Sequence, residues 1–186
     1  MKQVFIIIFI IISVSYCYSQ SQTDDKEKSK SKMEQFSLST GQITKFTDYK
    51  LPNVKTSYGG KECRVRVFTR GSEIRYYYQI INKTQYKSLV SSIEYSDLLE
   101  VMKAYNQLKS EALQDMVSNP EYLENYFTTI DDDFTFGYYV SKGKINWYMT
   151  IGNKYNNENI FPNSHTDIEE AFGSAKTKIE ELMAKK

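Results

Sequence analysis

The chain contains one histidine, His165, which is the residue type best suited to proton transfer near neutral pH. Ser164 and Asp167 lie beside it, so a Ser–His–Asp set can be drawn from neighbouring residues. These residues are local in sequence, however, and no serine stands in the strand–turn–helix pattern of a nucleophile elbow. We therefore interpret them as polar residues at a helix entry, and a hydrolase that uses His165 stays an alternative.

Acidic residues form two groups that could hold a cation or cleave a glycoside. Asp131–Asp133 gather carboxylate oxygens, which calcium prefers, but the alternate spacing, glycine and distant glutamate of a calcium loop are missing. Glu94, Asp97 and Glu100 could supply a carboxylate pair, yet residues at this spacing are neighbours on one helix surface rather than groups facing across a cleft. The sequence thus predicts an exposed turn and a helix start, with no metal site, no catalytic residue and no cofactor.

Aromatic residues, which include 16 tyrosines, carry the stronger signal. Adjacent rings occur at Tyr76–Tyr78, Tyr138–Tyr139 and Trp147–Tyr148, and strand alternation sends neighbours to opposite faces of a sheet. If one face is the core, a second row points to solvent or to a partner: Tyr77, Tyr139 and Tyr148. Tyrosine suits protein and sugar surfaces, so we expect these three side chains to be exposed, contiguous and used in binding. A purely structural use is the alternative, since aromatic residues also favour strands and stabilise cross-strand pairs.

Charge and cysteine usage bear on further classes of protein. Without Lys2 in the apolar leader, the 24 basic residues fall to 23, which equals the 23 acidic residues. A formally neutral chain argues against a nucleic-acid partner, whose phosphates are bound by an excess of basic residues. Of the two cysteines, Cys63 alternates with Val65 and Val67 and is expected to be buried.

The first residues predict export. Lys2 precedes nine consecutive apolar residues, Val4–Ile12, and small polar residues follow, an order typical of a secretory signal peptide. The apolar run is shorter than the about 20 residues that span a membrane. We expect residues 1–19 to be a signal peptide cleaved between Ser19 and Gln20, which places the mature protein in the periplasm or outside the cell. Lipid attachment at Cys17 is the alternative, although the bulky residue before this cysteine fits such a signal poorly.

The remainder of the chain divides into a tether and one domain. Residues 20–32 hold no apolar side chain and predict a disordered tether, while residues 33–186 predict a single domain. Alternating apolar residues surround Arg70–Ser72 and again Lys142–Gly143, and this pattern predicts two β-hairpins.

Apolar residues at helical spacing predict two helices, over about residues 96–117 and 166–184. Ser96 and Thr166 stand where N-cap residues are expected. Because hairpins and helices follow one another without parallel crossovers, we predict an α+β fold. It has an antiparallel sheet of about five strands built from hairpins, packed by the two helices.

These observations favour a small exported domain that binds rather than catalyses. We expect a protein of the envelope or the extracellular space to bind the aromatic sheet face. A carbohydrate or small ligand is the alternative, and it requires a concave aromatic groove with convergent polar groups. We expect no nucleic-acid partner, and contact with a membrane only if Cys17 is lipidated.

Overall fold

A computed structural model describes residues 31–38, 41–118, 120–129, 134–153 and 155–185. The predicted signal peptide, residues 20–30 of the predicted tether and Asp131–Asp133 lie outside the described residues. Of the last two residues of the predicted tether, Ser31 is instead the N-cap of a short helix and Lys32 is its first residue. Ser31 caps it, because its hydroxyl accepts from the Glu34 N–H while the Glu34 carboxylate accepts from the Ser31 N–H.

Eleven elements follow one another along the described chain. They are α1 (Lys32–Ser37), β1 (Thr44–Val54), β2 (Lys61–Arg70), β3 (Glu73–Lys83), β4 (Ser88–Glu94), α2 (Tyr95–Val117), β5 (Tyr122–Thr128), β6 (Thr135–Ser141), β7 (Lys144–Asn153), β8 (Asn156–Ile160) and α3 (His165–Ala184). The α+β class is confirmed, and both predicted long helices are found within one residue of their expected starts.

The strands form two four-stranded antiparallel sheets rather than one sheet of about five strands. The first sheet has the order β1-β2-β3-β4, and the second has the order β5-β6-β7-β8. Every neighbouring pair is antiparallel and consecutive in sequence, so each sheet is a simple meander. In the β6–β7 turn, Lys142 and Gly143 both have positive φ, at 51° and 70°. Two positive φ values in a two-residue turn match the twist of a hairpin.

Two strands escaped the prediction, for different reasons. Leu123, Asn125 and Phe127 of β5 alternate with more exposed neighbours, a period-two pattern that the sequence contains. β8 is polar and Asn-rich, a composition that predicts a loop. The turn between β7 and β8 is stabilised by Asn153, whose side-chain oxygen accepts from two backbone N–H groups. Pairing with β7 then makes Asn156–Ile160 a strand.

Both long helices pack on the apolar side of the two sheets and share one core with them. The ring of Phe172 in α3 is buried and makes edge-to-face contacts with Tyr78 of the first sheet and with Phe134 and Phe136 beside and within the second. The sheets meet where β4 approaches β7, and there the Gly152 N–H donates to the Ser91 hydroxyl over 3.0 Å. The core is therefore continuous across both sheets.

The long helices exchange partners between the two halves of the chain. The helix α3, which follows the second sheet in sequence, lies against β1 and β2 of the first sheet. The helix α2, which follows the first sheet, contacts β5 and β6 of the second sheet as well as β3 and β4. Neither half of the chain thus buries its own sheet with its own helix alone.

The caps of the long helices differ from the predicted ones. In α3 the N-cap is Ser164 rather than Thr166, and its hydroxyl accepts from the Asp167 N–H. In α2 the N-cap is Glu94, whose side chain makes no capping bond, so Ser96 lies inside the first turn. Both helices therefore start one residue earlier than predicted. The cap of α2 is the extended residue Glu94, and the cap of α3 is Ser164.

Candidate functional site

The outer face of the second sheet, opposite the helices, carries a cluster of tyrosines. Strand alternation puts Tyr122, Glu124 and Tyr126 of β5 on this face. In register with them, Tyr139 of β6 pairs with Glu124, and Gly137 of β6 pairs with both Tyr126 and Tyr148. We call this cluster the tyrosine surface: Tyr122, Tyr126, Tyr139 and Tyr148 around Glu124.

Glu124 organises the tyrosine surface. Its two carboxylate oxygens accept hydrogen bonds from different phenols, from Tyr148 over 2.6 Å and from Tyr122 over 2.9 Å. The Tyr122 ring in turn stacks on the Tyr139 ring, with 6.0 Å between centroids and 23° between planes. Because the rings of Tyr122, Tyr139 and Tyr148 are each tied to a neighbour, they present fixed orientations rather than freely rotating side chains.

The pKa values of the two phenols are both raised above the ordinary value for tyrosine. Burial raises the pKa of Tyr148, and the hydrogen bond to Glu124 raises it further. The pKa of Tyr122 is raised mainly by its hydrogen bond to Glu124. Both hydroxyls therefore stay protonated at neutral pH and can donate to the Glu124 carboxylate.

A glycine at the centre of the surface makes room for the rings. A Cβ at Gly137 would lie 2.3 Å from the Asn125 carbonyl oxygen and 2.6 Å from the Tyr126 Cβ. β5 can thus approach β6 this closely only because Gly137 has no side chain. Tyr126 and Tyr148 lie on either side of the gap, one strand away from Gly137 in each direction.

The tyrosine surface is open to solvent at its β5 side. Tyr122 is 59% exposed and Tyr126 is 58% exposed, while Tyr139 is half-buried and Tyr148 is buried beneath its neighbours. An exposed group of large aromatic side chains on one sheet face is a mark of a binding surface.

The predicted binding residues are not all on this surface. Tyr77, Tyr139 and Tyr148 were expected to be exposed and contiguous, but Tyr77 lies in the first sheet and is fully buried. It faces away from the main core, as alternation predicts, but the helix α1 covers it, and its ring packs edge-to-face on Phe68 with Phe36 above. The prediction that all three side chains are exposed is therefore wrong at Tyr77 and at Tyr148, which is 5% exposed, and Tyr139 is half-buried.

The structure brings Tyr139 and Tyr148 together and adds residues that the sequence analysis did not select. Tyr122, Glu124 and Tyr126 were missed because β5 was not recognised as a strand. Their i, i+2, i+4 spacing was the available signal, since these positions of a strand share one face.

His165 and its neighbours form a helix start, as interpreted from the sequence. The Ser164 hydroxyl donates to the Asp167 carboxylate over 2.6 Å and does not point to the histidine. His165 instead lies at the α2–α3 interface, where its carbonyl accepts from the Tyr105 hydroxyl over 2.9 Å and its Nδ1 lies 3.3 Å from the same oxygen. Glu169 also accepts from Tyr105. The arrangement ties two helices together, and it does not assemble a Ser–His–Asp set.

A cleft opens beside the tyrosine surface, at the end of the second sheet. Among the described residues, β8 pairs with β7 only over Met149–Asn153 and does not reach the first part of β7. That part, Ile145–Trp147, borders a cavity of about 410 Å³. Its lining is aromatic and amide-bearing, and Tyr139 belongs to both the cleft and the tyrosine surface. The other lining residues that carry rings or amides are Tyr58, Trp147, Phe161, Asn146 and Asn163.

Cys63 is 4% exposed, so its predicted burial is confirmed. The Tyr78 hydroxyl donates to its Sγ over 3.2 Å, and burial raises the pKa of the thiol. At neutral pH the sulfur is therefore a protonated core group.

Within the described ranges, no group of three or more His, Cys, Asp or Glu side chains could hold a metal ion. Over the same part of the chain, no helix is long and apolar enough to cross a membrane.

No family model, no curated protein and no solved structure matches the chain.

Proposed function

We propose that the chain is a non-catalytic binding domain that docks a protein partner through the tyrosine surface. The observation that carries this proposal is the exposed, ordered ring cluster on the sheet face opposite the helices, with Tyr122 and Tyr126 each more than half exposed. Tyrosine is enriched at protein interfaces because it contributes a large contact area and a polar tip at little cost in side-chain entropy.

The hydrogen bonds and the ring stack support the same conclusion. A side chain already held in one orientation loses less entropy on association than a freely rotating one. Tyr148 and Tyr122 are held by Glu124, and Tyr139 is held by its stack on Tyr122. The surface is therefore preorganised for contact.

The test is a capture experiment with envelope and secreted proteins from the organism that makes this chain. Wild-type chain is compared with the double variant Tyr126→Ala/Tyr139→Ala. The double variant Tyr86→Ala/Tyr155→Ala is the matched control, because these tyrosines are 91% and 73% exposed and lie outside the surface. We expect a protein retained by wild type and control and reduced at least about tenfold by the surface variant. Equal retention by all three would contradict the proposal.

A second candidate is a neutral sugar bound in the cleft. The supporting observation is a concave lining that combines aromatic rings with the amides of Asn146 and Asn163, and whose described residues include no charged side chain. Tyr58 belongs to the lining and is 84% exposed, so its ring can serve as a stacking platform for a sugar. Calorimetric titration with glucose and N-acetylglucosamine tests this candidate. Binding that weakens about tenfold in Tyr58→Ala and is unchanged in Tyr86→Ala would support it, and heats indistinguishable from dilution would reject it.

We also propose that the chain is exported, with residues 1–19 removed as a signal peptide. The order of charge, apolar run and small residues at the start of the sequence supports this. Intact mass measurement on the protein from the native host tests it. A mature chain that begins at Gln20 is expected. A chain that begins at an acylated Cys17 would indicate a lipid anchor instead, and an unprocessed chain would reject cleavage.

A further inference from the structure

Glu124 differs from the carboxylates on the outer face of the first sheet. There, Asp48 lies 2.7 Å from Arg66 and 3.0 Å from Arg64, and Glu73 lies 2.7 Å from Arg75. Among the described residues, no lysine or arginine forms an ion pair with Glu124, whose oxygens are met by two phenols. The tyrosine surface therefore contains a carboxylate that is hydrogen-bonded by phenols and that no basic side chain of the described ranges pairs with.

Aromatic residues flank Glu124 on its own strand and on the neighbouring strand. On β5, Glu124 lies midway between Tyr122 and Tyr126, and across the strand pair it is opposite Tyr139. The faces of aromatic rings attract cations, and this attraction strengthens as the site loses water. Tyr122 and Tyr148 use their hydroxyl protons on Glu124, so they cannot also donate them to an anion.

A neutral anchor would fit this surface less well. An apolar side chain covering the cluster would remove water from the Glu124 carboxylate without replacing the lost interaction, and desolvating a charge in this way is costly. A guanidinium or ammonium group would instead donate to the carboxylate while it packs on the rings. Charge complementarity therefore selects the occupant.

We propose that the partner's anchor on the tyrosine surface is a lysine or arginine side chain that binds the Glu124 carboxylate and lies among the rings of Tyr122, Tyr126 and Tyr139. This inference rests on the proposed function and names the chemistry of the partner segment. It makes Glu124 a recognition residue, with Tyr148 as the buried group that fixes its orientation.

The experiment selects peptides from a phage library that displays random twelve-residue sequences, using the immobilised full chain as bait. Selected peptides are sequenced, synthesised and measured for affinity against three variants. Glu124→Gln removes the charge and keeps the shape, and Tyr126→Ala removes a ring. Glu100→Gln is the matched control, since this carboxylate is exposed on α2, away from the tyrosine surface.

We expect peptides enriched in lysine or arginine that lose about tenfold in affinity or more with Glu124→Gln and with Tyr126→Ala, and that are unaffected by Glu100→Gln. Peptides that depend on Tyr126 but carry no excess of basic residues and bind Glu124→Gln equally would overturn this inference and leave the proposed function standing. Failure to recover any peptide whose binding depends on Tyr126 would overturn both. Circular dichroism of each variant shows that a loss of binding is not a loss of folding.

Discussion

Replacing Gly137 with alanine perturbs the close approach of β5 and β6 beneath the tyrosine surface. The added methyl group would lie 2.3 Å from the Asn125 carbonyl oxygen, and 2.6 Å and 2.7 Å from the Cβ and Cα of Tyr126. Contacts under 3.0 Å are essentially never made by real Cβ atoms, and the nearest atoms here belong to the backbone. A side-chain rotation cannot relieve them, so β5 must move away from β6.

Forcing extra atoms into a packed site costs about 1–3 kcal/mol of folding free energy. With a urea dependence of about 2 kcal/mol per molar, a destabilisation in the middle of that range lowers the unfolding midpoint by about 1 M. β5 is an edge strand and can shift, which keeps the cost within this range and allows the variant to fold. Because Tyr126 moves with β5, peptide binding at the tyrosine surface weakens as well.

The assay is urea unfolding followed by the fluorescence of Trp147, the one tryptophan in the chain, which is 8% exposed. Gly173→Ala is the matched control: a Cβ there would meet no atom within 4 Å, and its position is inside α3. That control is expected to stabilise the fold by about 0.5–1 kcal/mol, because alanine is the better helix former. A Gly137→Ala midpoint equal to that of wild type, beside a raised midpoint for Gly173→Ala, would refute the reasoning.

Three further changes test the core, the thiol and the acid response. Phe172→Ala should lower the unfolding free energy by about 3–5 kcal/mol in urea titrations, because its buried ring contacts both halves of the core. In Cys17→Ser chain, Cys63 should react with a disulfide reagent only after unfolding, since the thiol is buried and its pKa is raised. The hydrogen bond from Arg66 lowers the pKa of Asp48, so Asp48→Asn should be less stable than wild type at pH 7, and this difference should shrink as the pH falls below about 4.

Each of these changes has an outcome that would contradict it. An unfolding midpoint for Phe172→Ala within error of wild type would mean that the ring does not fill the core as described. Complete labelling of Cys63 in native buffer on mixing would mean that the thiol is open to solvent. For Asp48, the sign follows from linkage: a carboxyl with a lowered pKa in the folded state stabilises the fold above its unfolded pKa and loses this effect as acid protonates it. A difference between Asp48→Asn and wild type that persists unchanged at pH 2 would exclude the pairing with Arg66.

The sequence specified the secondary structure best where one side of an element is apolar. Cys63 and Val65 face the core, and Tyr76 and Tyr78 of the next strand do the same, as their alternation predicts. β8 lacks such a pattern, since its stability comes from the Asn153 turn and from pairing with β7 rather than from an apolar face. Recognising β8 as a strand therefore required turn chemistry, which composition describes poorly.

The candidate site was predictable in part, because alternation fixes the face of a side chain but not what covers that face. Tyr77 and Tyr139 both point away from the main core, yet α1 packs over the first sheet and leaves the second sheet open. The cover consists of Met33 and Phe36, two apolar residues in a six-residue helix. Tertiary contacts hold helix α1 in place, including an ion pair of 2.7 Å between the Lys32 ammonium and the Asp97 carboxylate. A local sequence pattern cannot predict contacts between residues this far apart in the chain.

The exchange of helices between the two halves has a consequence for the order in which the molecule can form. β1 and β2 are made early, but the helix that lies on them, α3, follows all eight strands in the chain. During synthesis α3 cannot cover the apolar side of β1 and β2 until the end of the chain has been made, so the native core is completed by contacts between residues far apart in sequence.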